Sequence, residues 1–228
     1  GDLDVAVAHN GPSLPEGSVK WARNPGNATG LWTTHAVGGI ANGYADRVAI
    51  AELNGDGRPD IVVTEEGQSL APEWSTYWFE APADPAQSNW IRHTLVTQHT
   101  SNAMDVEDMD NDGDIDIIVG EHRGTEKLSV WENDGAGNFT EQVVDTGKES
   151  HLGARAADLD DDGDFDLVSI CWDDYQDLHV WRNDNGGVGA IIASNRAPVV
   201  HAGPDRFVLL PQVTVDLDGS ITDDGKPA

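Results

Sequence analysis

A single cysteine, Cys171, stands in 228 residues, so no internal disulfide staples this chain. We read it as a strand-end residue rather than a nucleophile. Basic residues are scarce too: 13 Lys and Arg face 41 Asp and Glu, a net charge of −28. So negative a surface repels phosphate backbones and anionic headgroups, which removes nucleic acid and acidic membranes from the partner classes. No apolar run approaches the roughly 20 residues of a spanning helix, and no signal-type leader is visible, so no membrane insertion is expected. A sustained 3.6-residue apolar period is also missing, which argues against helices. Neither a Ser-His-Asp arrangement, a nucleotide loop nor an HExxH motif occurs.

What the chain has in excess is aspartate, and it is clustered. The stretches ELNGDGRPDIVV (52–63), DMDNDGDIDIIV (108–119) and DLDDDGDFDLVS (158–169) share one frame. An acid opens each, oxygen-bearing side chains follow at the third and fifth positions, glycine at the sixth, aspartate at the ninth, then an apolar strand. The opening GDLDVAVA fits the end of the same frame and puts Asp4 where Asp60, Asp116 and Asp166 stand. A period of about 50 residues is the signature of repeat architectures and propeller blades. Each unit also carries a tryptophan strand, with Trp21, Trp78, Trp131 and Trp181 read as packing between blades, and a further outer strand. The expected fold is all-β: β-propeller blades of four antiparallel strands, about four repeats, the first lacking its inner strand.

Aspartates at alternate positions, with a glycine that permits a sharp reversal, aim several oxygens at one point. Carboxylates about 4 Å apart repel by roughly 1 kcal/mol per pair in water and about 4 kcal/mol at a surface-like dielectric. A hard divalent cation removes that repulsion, and oxygen-only ligands in a flexible loop favour Ca2+ over Mg2+. About three Ca2+ sites are expected. These loops are not EF-hands, because the twelfth position holds Val63, Val119 or Ser169 instead of glutamate and a strand follows. The ninth-position aspartate then closes the site.

With that departure, the loops resemble those of FG-GAP/VCBS repeats, the blades of integrin-α-like propellers. The pair VWENDGAGNFTEQVV is similar to strands of bacterial VCBS-repeat proteins and of aldos-2-ulose-dehydratase-like propellers. The resemblance covers residues 1–193. Carried over by position, it implies side-chain ligands at Asp108, Asp110, Asp112 and Asp116 with the Asp114 carbonyl. It implies the same at Asp158, Asp160, Asp162 and Asp166 with the Asp164 carbonyl. In the first complete loop the set is Glu52, Asn54, Asp56 and Asp60 with the Arg58 carbonyl.

Strand direction alternates within a blade, so the remaining loops gather on the face opposite the acidic ones. That face collects Tyr44, Asp46, Arg47, Glu66, Trp74, His99, Asn102, Glu121, His122, Arg123, His151, Arg155, Trp172 and Tyr175. Tyr44, Arg47, His99, His122, His151, Arg155 and Trp172 are the candidate ligand-binding residues there, since aromatic rings beside acids and amides suit sugars. The expected function is an extracellular, calcium-stabilised binding or adhesion module for glycan or protein, secreted as part of a larger protein. The alternative is a carbohydrate-active enzyme of lyase or dehydratase type, with Arg155 and His151 as its best local pair. Residues 194–228 read as a linker and the truncated start of a PKD/Ig-like module, against a competing reading in which FVLLPQVTVDL supplies the first unit's missing strand. Four units are few for a closed ring. Closure would need further blades, the tail, or self-association with another copy.

Overall fold

The computed structural model describes residues 3–9, 19–27, 29–41, 44–67, 71–147, 154–170, 178–183, 199–201 and 220–222. Among them are strands and no helix. Blade 1 is an antiparallel sheet of β1 (Val5–Ala8), β2 (Val19–Arg23) and β3 (Thr33–Gly38). Blade 2 has β4 (Ala45–Ala51), β5 (Asp60–Glu65), β6 (Trp74–Glu80) and β7 (Ile91–Gln98), paired in that order. Blade 3 repeats it with β8 (Ser101–Glu107), β9 (Asp116–Glu121), β10 (Leu128–Asn133) and β11 (Phe139–Asp145). Blade 4 shows β12 (Arg155–Ala157), β13 (Asp166–Ile170) and β14 (Leu178–Trp181). The fold is all-β: blades 2 and 3 are four-stranded antiparallel sheets, and among the described residues blades 1 and 4 show three strands each, those of blade 1 matching the second to fourth strands of blade 2.

The core lies between blades, in three clusters. Val19, Trp21 and Val37 of blade 1 meet Ile61, Val63, Tyr77 and Phe79 of blade 2. Leu53, Val62 and Trp78 of blade 2 meet Met104, Ile117 and Val119 of blade 3. Met109, Ile118, Leu128 and Val130 of blade 3 meet Ala154, Leu167 and Trp181 of blade 4. Successive side chains of a strand point to opposite faces. Ile61 and Val63 therefore pack on one neighbour and Val62 on the other, and Ile117, Ile118 and Val119 divide in the same way. Every residue of β5 and β9 is buried, which is why these strands read as unbroken apolar runs after the aspartates. Each such Val or Ile contributes about 1.5–3 kcal/mol by leaving water.

The four tryptophans are not one equivalent position. Trp21 pairs with Ala6 and Trp78 with Val62, the second residue after Asp4 and Asp60. Trp131 pairs with Ile117 and Trp181 with Leu167, the first residue after Asp116 and Asp166. One step along a strand moves a side chain to the other face. Trp21 and Trp78 accordingly face the following blade, whereas Trp131 and Trp181 face the preceding one and occupy the place of Phe79. All four still pack between blades, although Trp131 is only partly buried. Trp21 also donates its Nε1–H to the carbonyl of Pro85 in blade 2 at 2.7 Å, and Trp181 to Asp145 of blade 3 at 2.9 Å.

Beyond the blades, β15 (Val199–His201) and β16 (Ser220–Thr222) pair with each other as a two-stranded antiparallel sheet. Cys171, blade 4's expected outer strand and the FVLLPQVTVDL segment lie outside the described residues.

Candidate metal centre

Each acidic loop joins the first two strands of its blade: β4 to β5, β8 to β9, β12 to β13. The first acid organises the turn. Asp108 takes the N–H of Asp112 on one oxygen at 3.1 Å and that of Gly113 on the other at 3.0 Å. Asp158 does the same for Asp162 at 3.2 Å and Gly163 at 3.1 Å. Glu52 accepts from Asn54 at 3.1 Å and Asp56 at 3.2 Å. The fifth-position acid then takes the N–H of the seventh residue: Asp56 from Arg58, Asp112 from Asp114, Asp162 from Asp164.

Two residues in each loop adopt left-handed backbone. The sixth-position glycines Gly57, Gly113 and Gly163 have φ of 78°, 98° and 97°. The fourth position does likewise, with Gly55 at 73°, Asn111 at 59° and Asp161 at 63°. Glycine, asparagine and aspartate are the residues that tolerate this region. The fourth position thus belongs to the motif although it contributes no expected ligand, and its Gly/Asn/Asp identity is the signal for it in the sequence.

The turns bring together Asp108, Asp110 and Asp112, and separately Asp158, Asp160 and Asp162, with one carboxylate oxygen of each residue within 4.8 Å of the others in its group. Burial, then the neighbouring Asp112 carboxylate, pushes the Asp110 carboxyl above its ordinary range. Asp160 is raised mainly by desolvation as well, with Arg182 opposing. Such a group is short of positive charge. An all-oxygen, three-carboxylate donor set fits a hard divalent cation. Arginines already neutralise part of two loops. Arg58 pairs with Asp56, and Arg182 reaches Asp160 at 2.8 Å and Asp162 at 3.6 Å. Among the described residues no base pairs with Asp108, Asp110 or Asp112.

The ninth-position aspartates are buried and bonded to backbone. One oxygen of Asp60, Asp116 and Asp166 accepts from the second loop residue, Leu53 at 3.3 Å, Met109 at 2.8 Å and Leu159 at 3.0 Å. The other accepts from the end of the tryptophan strand: Ala81, Asn133 and Asn183, each at 2.8 Å. Asp4 takes the N–H of Asn24 in the same way, at 2.7 Å. Burial pushes the Asp116 carboxyl up to about 7 and that of Asp60 to about 6, despite the two N–H donors that pull each down. These residues staple loop, second strand and third strand together. Each oxygen keeps a second lone pair.

The profile of the FG-GAP-like repeat matches residues 1–63 and 108–169, more than half of the chain. The chain belongs to the FG-GAP-like repeat family. No curated protein matches it. The matched segments contain the partial first loop and all three complete acidic loops of these FG-GAP-like repeats.

On the opposite face the inter-blade loops do gather. Glu66 donates its N–H to the Tyr44 carbonyl and His122 to that of Thr100, while Gly67 donates to the Thr100 hydroxyl, all within 2.9 Å. Several residues collected on that face are used internally. Trp74 is buried with Tyr44 edge-on at 6.1 Å, so it presents no free ring for stacking. Asn102, Glu121 and His122 are buried too, and Glu121 accepts from Thr125 at 2.5 Å and Lys127 at 3.1 Å. His122, a candidate ligand-binding residue, is thus only 5% exposed. Arg155 spends one guanidinium nitrogen on the Met104 carbonyl at 2.6 Å. Tyr44, Arg47, Glu66 and His99 remain at least partly accessible. His151, Trp172 and Tyr175 lie outside the described residues.

Proposed function

We propose that the chain is a Ca2+-stabilised β-propeller binding module that acts outside the cell and recognises glycan or protein. The observation that carries the reading is the pair of three-carboxylate groups, Asp108/Asp110/Asp112 and Asp158/Asp160/Asp162, at equivalent positions of successive blades. Their oxygens would hold the cation with the ninth-position aspartates and the seventh-position carbonyls, and Glu52, Asn54 and Asp56 form the weaker third set. The cation supplies charge neutralisation and a rigid joint between the first two strands of each blade. Loop cages of this type match the millimolar calcium found outside cells, which supports secretion.

Recognition falls to the face opposite the cages, where Tyr44, Arg47, Glu66 and His99 sit at blade junctions. Arg155, the arginine of the lyase or dehydratase reading, commits one guanidinium nitrogen to the Met104 carbonyl. Equilibrium dialysis against Ca2+, followed by a glycan and protein array with the calcium-loaded chain, tests the reading. About three bound Ca2+ and a retained array ligand support it. Failure to bind Ca2+ at millimolar concentration removes it.

A further inference from the structure

The junctions between acidic loops are built by one recurring residue, the asparagine that ends the tryptophan strand. Asn133 donates its side-chain N–H to the Leu53 carbonyl in the loop of blade 2 at 2.9 Å, and to Ile115 in its own loop at 3.1 Å. Asn183 repeats this one blade later, donating to Met109 of blade 3 at 2.9 Å and Phe165 of its own loop at 3.3 Å. Both asparagines are buried, and their backbone N–H groups bond Asp116 and Asp166. Each therefore holds two consecutive loops at once.

The point of attachment matters. Leu53 and Met109 are second loop residues, placed between the first and third ligand positions. Their N–H groups are fixed by Asp60 and Asp116, and their carbonyls by the next blade's asparagine. Fixing that carbonyl fixes the peptide plane leading to Asn54 or Asp110. Further contacts cross the same junctions. Asn111 donates to Asp164 of the next loop at 2.5 Å. A Cβ on Gly55 would stand 2.8 Å from the carbonyl of Gly135, just beyond Asn133. Asn24 of blade 1 bonds its own loop at Leu3 in the same pattern, but blade 2 has Ala81 at this place and no side-chain donor. The fold tolerates alanine there.

We propose that the three cation loops form a coupled series, 52 to 108 to 158, with Asn133 and Asn183 as the positioning residues that transmit occupancy from one loop to the next. This rests on the cation reading above. Ordering loop 108 around a cation fixes the Met109 carbonyl, hence Asn183, hence Asp166 and loop 158, so the second cation meets a site with less left to order. Coupling is reciprocal, and a factor of about five to ten per junction lies within the usual range.

The experiment is a Ca2+ titration followed by the amide resonances of Gly57, Gly113 and Gly163, one per loop, in the wild-type chain, Asn183→Ala, Asp160→Ala and the double variant. Folding of each is checked by its dispersed amide spectrum in EGTA. Disabling loop 158 with Asp160→Ala, which removes the third-position oxygen altogether, is expected to weaken loop 108 about fivefold in the wild-type background and to leave it unchanged in Asn183→Ala. Loop 108 keeping its affinity when loop 158 is disabled, or weakening equally in both backgrounds, overturns the coupling. Absence of any Ca2+-dependent shift removes the cation reading itself, and independent binding at all three loops removes only the coupling. Should Asn183→Ala fail to fold, the same cycle on loops 52 and 108 with Asn133→Ala and Asp110→Ala decides between these outcomes.

Discussion

Asp116 accepts the backbone N–H of Asn133 at 2.8 Å on one oxygen and that of Met109 at 2.8 Å on the other, in a site closed to solvent. A carboxylate accepts on both oxygens, whereas an amide accepts on one and donates from the other end. Asp116→Asn thus turns an NH2 toward one of two N–H donors and leaves a buried donor unsatisfied. A loss of about 2–3 kcal/mol is expected at pH 6 without Ca2+, where burial keeps Asp116 largely protonated, so that no buried charge is relieved and its hydroxyl oxygen still accepts. Asp110→Asn, which only thins the cage, should cost little in EGTA and show its effect with Ca2+ present. Urea unfolding of both variants in EGTA separates the roles, and equal losses would contradict the division.

Cation affinity should rank loop 108 first, loop 158 second and loop 52 last. Loops 108 and 158 offer equal carboxylate numbers in the sequence, but Arg182 competes for Asp160 and Asp162. In loop 52, Asn54 is neutral and Arg58 competes for Asp56. Arg182→Gln should raise the affinity of loop 158 toward that of loop 108. In a chelator titration, loop 52 is expected to empty first. Chelation should lower the melting temperature sharply, since each site at a hundredfold excess of cation adds about 2.7 kcal/mol. An unchanged melting point in EGTA, or equal protection by Mg2+, contradicts a structural Ca2+ role.

The repeat, the order of strands and the convergence of the acidic side chains were all legible in the sequence because they are local. Asp108, Asp110 and Asp112 converge through bonds spanning two to five residues, and spacing alone predicts such turns. The reach of Asn133 to Leu53 spans 80 residues and that of Asn183 to Met109 spans 74, so nothing in either neighbourhood announces it. Which neighbour each tryptophan faces was hidden for a related reason. Trp78 and Trp131 look alike in sequence, yet a shift of one residue in register sends them to opposite faces of their blades. The recognition face was read from residue type, and burial then enclosed Trp74 and His122.

At the junction of blades 1 and 2, Gly38 faces the ring of Phe79. An added Cβ would stand 2.6 Å from Phe79 Cε1, and Phe79 is itself enclosed among Ile61, Val63 and Tyr77. Neither partner can yield cheaply. Gly38→Ala should cost about 1–3 kcal/mol through overpacking. Pairing it with Phe79→Leu should recover part of that loss, and strictly additive losses in urea unfolding would show that the two residues do not share the strain.

Asp46 gives the chain a pH dependence separate from the cages. Burial raises its carboxyl from 3.8 to about 6, with Arg47 opposing and the neighbouring Glu66 reinforcing the shift. Arg47 pairs with it at 3.0 Å but does not offset the desolvation. The folded state therefore binds the proton more tightly than the unfolded chain does. Below pH 4 both states are protonated and the group contributes nothing. From pH 4 to about 6 only the folded state holds the proton, so stability falls as pH rises, and above pH 7 the full cost of burying the charge remains. At 1.36 kcal/mol per pH unit that cost is about 2 kcal/mol once partial exposure is allowed for. Asp46→Asn should accordingly stabilise the protein at pH 8 and have no effect at pH 4. Urea unfolding across that range in saturating Ca2+, which keeps the cages ionised, measures the difference, and a gain independent of pH would show that Asp46 is charged in the folded state throughout.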